Sequence, residues 1–372
     1  MGAAQVVILC LAGLSLLLSA VALRRDKVPV WRFAPPEEIP SQGTPRFETV
    51  FEYDITEGQA HAPSLVVTHK GFELLWFEGS AEAQADVDIH FARFERTDEG
   101  WLKADQGTRI SRAALGAAME PGQLVVTLGN TVENEARPGH VFATVVSVGG
   151  WAMASVADVK MGPQGPVSAR KLNLSPFLNR SHLVKSPMVK FADGSYGLPA
   201  YFEMGATHGA LVRFTKDGRV RDTVRMSGEG KPIQPMIVPL TETHAVAFLR
   251  DFDPSGQVLR CETPDGGQTW TDAAPMAMHN PSAPVAALSL GHGLILMAAN
   301  DEAAPNDRLS LLLSQDEGET FHPIEELAPQ GAGARYPMLR TLADGTILLT
   351  FSVGNKKGLR VLAFNSDWVA VQ

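Results

Sequence analysis

Cysteine is nearly absent, with Cys10 and Cys261 the two in 372 residues. Two thiols cannot build a disulfide framework, and no zinc-type spacing surrounds either of them. An excess of positive charge is also missing. The formal net charge is −9, and an acidic surface repels phosphates, which argues against general nucleic-acid or anionic-membrane binding. The ten histidines form no HExxH and no His-carboxylate cluster, so neither a metal nor a cofactor is expected. From residue 46 onward the chain lacks the sustained 3.6-residue apolar periodicity of amphipathic helices.

One long apolar run is present, VVILCLAGLSLLLSAVAL at residues 6–23, and no Lys or Arg precedes it. Ala20-Val21-Ala22 fits the small-x-small cleavage pattern of a secretory signal. If uncleaved, the run just spans a bilayer, and Arg24, Arg25 and Lys27 favour a cytoplasmic C-terminal flank. Residues 1–23 are therefore read as a signal peptide or membrane anchor. The expectation is export to the periplasm or outside the cell, cleaved or anchored in the inner membrane, with the trailing charges weighing against the anchored form. Residues 24–45, containing VPVWRFAPPEEIPSQGTP, read as a Pro-rich linker. Residues 46–372 are the folded body.

That body is a series of apolar segments joined in pairs by Asp-Gly or Gly-rich turns. SLVVTHKGFELLWFEG, PMVKFADGSYGLPAYFE, PMIVPLTETHAVAFLRD, APVAALSLGHGLILMAAN and PMLRTLADGTILLTFS each read as strand, turn, strand. These units begin near Ala62, Ser186, Gln234, Ala283 and Tyr336, and HVFATVVSVGGWAMASVADV at His140 supplies a sixth. The later spacings are about fifty residues, the length of a four-stranded propeller blade. Two boxes, TPDGGQTW at 263–270 and SQDEGETF at 314–321, follow the second strand at the same offset in successive units. Asp, Gly and Thr at these places suit a turn stapled by a carboxylate, with the aromatic ring packing between blades. TDEGW at 97–101 is a degenerate copy. The fold expected is all-β, a six-bladed β-propeller of four-stranded antiparallel blades. Its ring is closed by the alternating strand RFETVFEY (46–53) pairing with the last blade.

In this order, the stretches HAPSLV, VSVGGWA, SPFLNRSHLVKSPMV, GLPAYFE, IQPMIV, the two boxes and RYPMLRTLADG resemble the sialidase superfamily. The closest resemblance is to its bacterial members known as predicted neuraminidases with BNR (Asp-box) repeats. The likeness covers about residues 55–355. It implies a tyrosine nucleophile activated by a glutamate, an aspartate acid/base, and three arginines around a substrate carboxylate. A neutral nucleophile suits a sugar whose reacting centre already bears a carboxylate, and guanidinium groups suit bidentate carboxylate binding.

Carried over residue by residue, the resemblance points to Tyr336, in RYPML, as the tyrosine. Arg250, in VAFLRDF, and Arg308, in NDRLSLLLS, stand where two of the arginines do. The first arginine is replaced by His61, which can hold a carboxylate only when protonated. The glutamate is replaced by Gln234, which hydrogen-bonds but cannot take a proton. Glu203, at the end of LPAYFE, is a substitute base. For the acid, the loop after the first hairpin offers Glu78, Glu82, Asp86 and Asp88. Asp86 is favoured because an alternating ADVDI strand would put Asp86 and Asp88 on one face and raise one of the two pKa values. Asn280, Asn300 and Lys185 are further polar positions near the starts of units, suited to sugar hydroxyls.

The function this implies is exo-acting, sialidase-like hydrolysis of an acidic sugar from a glycan or polysaccharide. The alternative is a non-catalytic glycan-binding propeller that handles a surface polysaccharide. Hydrolysis requires Arg250, Arg308 and Tyr336 to converge in one axial pocket.

Overall fold

A strand buried over most of its length needs cover on both faces, and the second strand of each repeat is of this kind. In Gly71–Gly79 the first seven residues are buried. Leu74 and Trp76 join the cluster shared with the last blade, whereas Leu75 and Phe77 join the cluster shared with the next one. Alternate side chains thus serve opposite neighbours, which is how a sheet inside a ring buries both faces.

In the computed structural model, which describes residues 2–25, 30–175, 179–252, 256–303 and 307–372, the chain forms two units, Met1–Trp31 and Arg32–Gln372. The first contains the helix Ala3–Arg25, long and apolar enough to cross a membrane and equally suited to a signal sequence. The second is a six-bladed propeller with four antiparallel strands per blade. The inner strands are Gln59–Thr68, Thr127–Glu133, His182–Val184 with Val189–Lys190, Pro232–Pro239, Ala286–Gly291 and Arg335–Thr341. They open blades 1 to 6 in that order. The strand Phe47–Asp54 completes blade 6 from outside, running antiparallel to Gly358–Phe364 with Phe47 opposite Phe364.

The unit beginning at His140 falls differently from its sequence reading. His140–Val146 and Ser155–Gly162 are the second and third strands of blade 2, and TLGNTVE (127–133) is the inner one. That strand buries Thr127 and Thr131, with Thr131 bonded to Ser64 of blade 1 at 2.6 Å, so it has no apolar signature. The Pro-rich stretch read as a linker belongs to the propeller unit from Arg32 onward. Phe33 is buried and stacks on Phe191 at 5.2 Å. The Phe33 and Ala34 amides donate to the Glu242 and Lys190 carbonyls, Glu38 pairs with His292 at 2.8 Å, and the Gln42 amide donates to Asp367. This strap crosses the turns between first and second strands in blades 3 to 6.

Both boxes are turn staples between third and outer strands. Asp316 Oδ1 accepts from the Thr320 amide at 2.9 Å and the Ser314 hydroxyl at 2.7 Å, and its Oδ2 accepts from the Thr320 hydroxyl at 2.6 Å. Asp265 repeats the set with Thr269 and Thr263. Gly318 has φ +83°, and a Cβ there would come within 2.6 Å of the Phe248 ring, so no other residue fits. Phe321 packs between blades 4 and 5, edge-on to Phe248. The Thr320 bonds, with help from Ser314, hold the Asp316 carboxyl down at about 2. Because the folded value is depressed, its stabilisation is complete above the ordinary aspartate value near 4 and is lost as pH falls toward 2. Asp316→Ala is therefore expected to lower the melting temperature at pH 7. The gap from wild type should narrow markedly at pH 2.5, which calorimetry at the two pH values checks.

Candidate active site

Three inner strands open with the same irregularity. Ala62, Gln234 and Tyr336 have φ of 52°, 51° and 59°, and each is followed by proline, in HAP, IQP and RYP. At these places the ladder to the second strand shifts register: between His61 and Ser64, Ile233 and Met236, and Arg335 and Met338. Proline fits a bulge because no ladder bond is asked of its nitrogen. Left-handed backbone in a non-glycine residue costs about 1–3 kcal/mol and persists where the surroundings over-determine it. Here it turns side chains from separate blades toward one another.

Gln234 and Tyr336 meet in this way. The Gln234 Nε2 donates to the Tyr336 hydroxyl at 3.3 Å and to the Tyr201 hydroxyl at 3.3 Å. Its Oε1 accepts from Arg250 at 3.3 Å, and Arg250 Nε donates to Ser282 at 3.2 Å. The guanidinium fixes which way the amide points, so its N–H groups face the two phenols. Tyr201 is buried, and burial, the Glu203 charge and Tyr336 push its phenol well above the usual tyrosine range. Glu203 lies beside this group. Burial raises its carboxyl, Arg250 lowers it and Glu82 raises it, with a net upward shift.

His61 belongs to the same site with a different part from the one expected. Its ring sits edge-on to Tyr336, centroids 4.5 Å apart, and its Nδ1 meets the Ser352 hydroxyl at 2.7 Å. It is 1% exposed. Burial, Lys356 and Arg335 hold it well below the usual histidine range, so at neutral pH it is an uncharged pad under the tyrosine and no cation for a carboxylate. Arg335 and Lys356 are the cations close to His61. Burial lowers the Arg335 guanidinium, which also feels Tyr336, Asp307, Glu82 and Arg250, and Lys356 pairs with Glu82.

The remaining expected residues lie elsewhere. Arg308 is turned onto Asp301, at 3.0 Å from its Nη2 and 3.2 Å from its Nε, and among the described residues its guanidinium makes no contact with Tyr336 or Arg250. The triple of Arg250, Arg308 and Tyr336 therefore does not assemble; Arg335 stands with the other two instead. Asp86 is exposed in a turn, accepting from the Ser80 amide and hydroxyl at 3.1 and 3.0 Å. Asp88 accepts from the Arg112 amide and side chain, so the expected same-face pair is absent, because 80–86 is a turn and the strand starts at Asp88. Glu78 accepts from Tyr53 and Trp76. Asn280 and Asn300 are fully buried, their amide N–H groups given to backbone carbonyls of Asn300, Arg308 and Ala334. They fasten neighbouring loops. Lys185 is buried on the axis.

Sequence reasoning missed Arg335, Lys356 and Tyr201. Each had a signal in its place along the blade, since starts of first strands, ends of second strands and second-to-third turns share the end of the propeller where Tyr336 lies. At the opposite mouth of the axis, under the strap, a cavity of about 460 Å³ contains Glu135 and Arg340, ion-paired at 2.7 Å. Its lining also includes Lys190, Ser289 and Thr341, but neither Tyr336 nor Gln234 nor Arg250 reaches it.

The BNR repeat-like domain matches residues 71–349. No curated protein matches the sequence. Among solved structures, a Hadza microbial sialidase superposes with a TM-score of 0.60 at 14% identity, covering 81% of this chain and 65% of its own. Trypanosoma rangeli sialidase, in complex with the inhibitor DANA, gives 0.61 at 10% identity, covering 91% and 59%. A Dyadobacter fermentans protein of unknown function gives 0.64 at 12% identity, covering 86% and 99%. The chain thus spans under two thirds of the length of these two sialidases. At such identities the likeness carries the fold.

Proposed function

Since the chain belongs to the BNR repeat-like domain family, on a propeller shared with sialidases, we propose that it is a glycoside hydrolase that removes an acidic sugar from a glycan end. The convergence expected of Arg250, Arg308 and Tyr336 fails at Arg308, which pairs with Asp301, and the reading stands only with Arg335 as the second cation beside Tyr336 and Arg250. The observation that carries this reading is the chain Tyr336–Gln234–Arg250, in which a cation orients an amide toward a phenol oxygen. Tyr336 Oη attacks the anomeric carbon as the bond to the leaving oxygen breaks. Its proton passes to Glu203, and the leaving oxygen takes a proton from solvent water, because Glu82 is ion-paired with Lys356 and Asp86 is turned onto Ser80. Water then attacks the same carbon, and the tyrosine leaves with its proton restored. Gln234 cannot accept the proton, but its N–H stabilises negative charge growing on the phenol oxygen. Arg250 and Arg335 hold the sugar carboxylate.

Glu203, raised by burial, is a base only when ionised, so turnover rises as pH passes through its elevated value. Glu203→Gln is expected to flatten that limb of the pH–rate profile and leave affinity within a few-fold.

A second reading is favoured by Gln234 itself, a residue unable to act as base where the sialidase pattern has a glutamate. In it the pocket binds an acidic glycan and releases nothing. Incubation with sialylated and uronic-acid-terminated glycans separates the two. Hydrolysis yields free acidic sugar with retained anomeric configuration; binding yields saturable association and no free sugar. Neither release nor association across both classes would sink the pocket assignment altogether. The apolar helix Ala3–Arg25 fits a signal peptide or anchor, consistent with an exported protein meeting such glycans.

A further inference from the structure

Among the described residues, Lys185 is the one buried lysine, and the proposed reaction does not use it. It is 5% exposed and interrupts the inner strand of blade 3 between His182–Val184 and Val189–Lys190. Its ammonium crosses to two other blades, donating to the Val285 carbonyl ahead of blade 5 at 3.1 Å and to the Pro337 carbonyl in blade 6. The second bond is the telling one. Residues 336 and 337 lie in the bulge between the pairs Arg335–Ser352 and Met338–Thr350. The strand ladder does not serve them, and a buried carbonyl without a partner costs about 1–3 kcal/mol. Lys185 provides that partner one residue after the left-handed Tyr336. Burial pushes its ammonium down to about 7, which reflects how little besides these carbonyls solvates it.

We infer that Lys185 is a positioning residue for Tyr336, its ammonium pinning the Pro337 carbonyl so that the bulge keeps the phenol on Gln234. Charge at Lys185 is spent on backbone and none of it reaches a ligand, so substrate affinity and phenol placement are separable. The inference rests on the proposed part of Tyr336 for its catalytic consequence; the placement itself does not depend on turnover.

The test uses the full chain with 13Cζ-labelled tyrosine. The sequence has four tyrosines, and the Tyr336 resonance is identified by its loss in Tyr336→Phe. Lys185→Met keeps length and removes the donors. It is expected to shift the Tyr336 resonance and, through Gln234, that of Tyr201, while Tyr53 stays in place. Turnover should fall at least tenfold with KM within threefold. If Lys185→Met does not fold, Lys185→Gln, whose shorter amide falls short of Pro337, is read in the same way. An unmoved Tyr336 resonance in either folded variant overturns the inference, as does a fall in melting temperature with kcat unchanged. A moved resonance in a protein whose wild type releases no sugar leaves the positioning standing and removes the hydrolase reading alone.

Discussion

Tyr336→Phe is expected to abolish sugar release, by on the order of 10³-fold or more, while the affinity for an acidic sugar stays within about threefold. The substitution removes one oxygen. The ring that packs edge-on against His61 keeps its size, and the Gln234 amide keeps its bond to Tyr201 and its acceptance from Arg250. Fold and carboxylate clamp are therefore untouched, and only the atom that attacks carbon is gone. Single-turnover assays beside calorimetric titration separate the two quantities. Release at the wild-type rate would eliminate Tyr336 as nucleophile. Equal binding with no release from either protein would leave the pocket as a binding site.

Arg250→Ala should produce the largest loss of affinity, 30-fold or more, equivalent to about 2 kcal/mol. Arg250 contributes in two ways. It offers a guanidinium to the sugar carboxylate, and it orients the Gln234 amide through Oε1. Its removal leaves that buried oxygen without its donor, so the amide is free to turn its oxygen toward the phenols. Turnover should fall along with affinity. Arg308→Ala is the matched control. Its guanidinium is held by Asp301, a partly exposed pair of the sort that contributes little, so affinity should change less than twofold. Isothermal titration of both variants decides it, and a larger loss in Arg308→Ala than in Arg250→Ala would overturn this account of the pocket.

The architecture was legible because two-sided burial leaves a mark that one residue cannot hide. FELLWFEG and its counterparts are apolar at consecutive positions, and their spacing counts the blades. The inner strand of blade 2 escaped because TLGNTVE carries hydroxyls that meet other hydroxyls on the axis. Within the site, Tyr336, Gln234 and Arg250 came from the resemblance and Glu203 from its place at a strand end; the structure joins the first three through hydrogen bonds. Offset says which end of a blade a residue occupies, but not which way a long side chain turns. Arg308 occupies the right end and turns to Asp301, while Arg335, beside the tyrosine in sequence, was passed over. His61 was placed correctly and given the wrong charge, because its neutral state is set by burial and by Lys356 and Arg335.

The closing strand has a consequence for how the site comes into being. Phe47–Asp54 is laid against Gly358–Phe364, so the ring cannot shut until nearly the whole chain is available, and such long-range pairing forms late. His61 and Ser352 touch between the first and last blades, and Tyr336 packs against His61. A chain part-way through synthesis or export can hold folded blades and still have no floor beneath its tyrosine. The Tyr336 site then assembles with the final pairing, and a truncation that spares every residue of the site but removes the latch would leave those residues with nothing to meet.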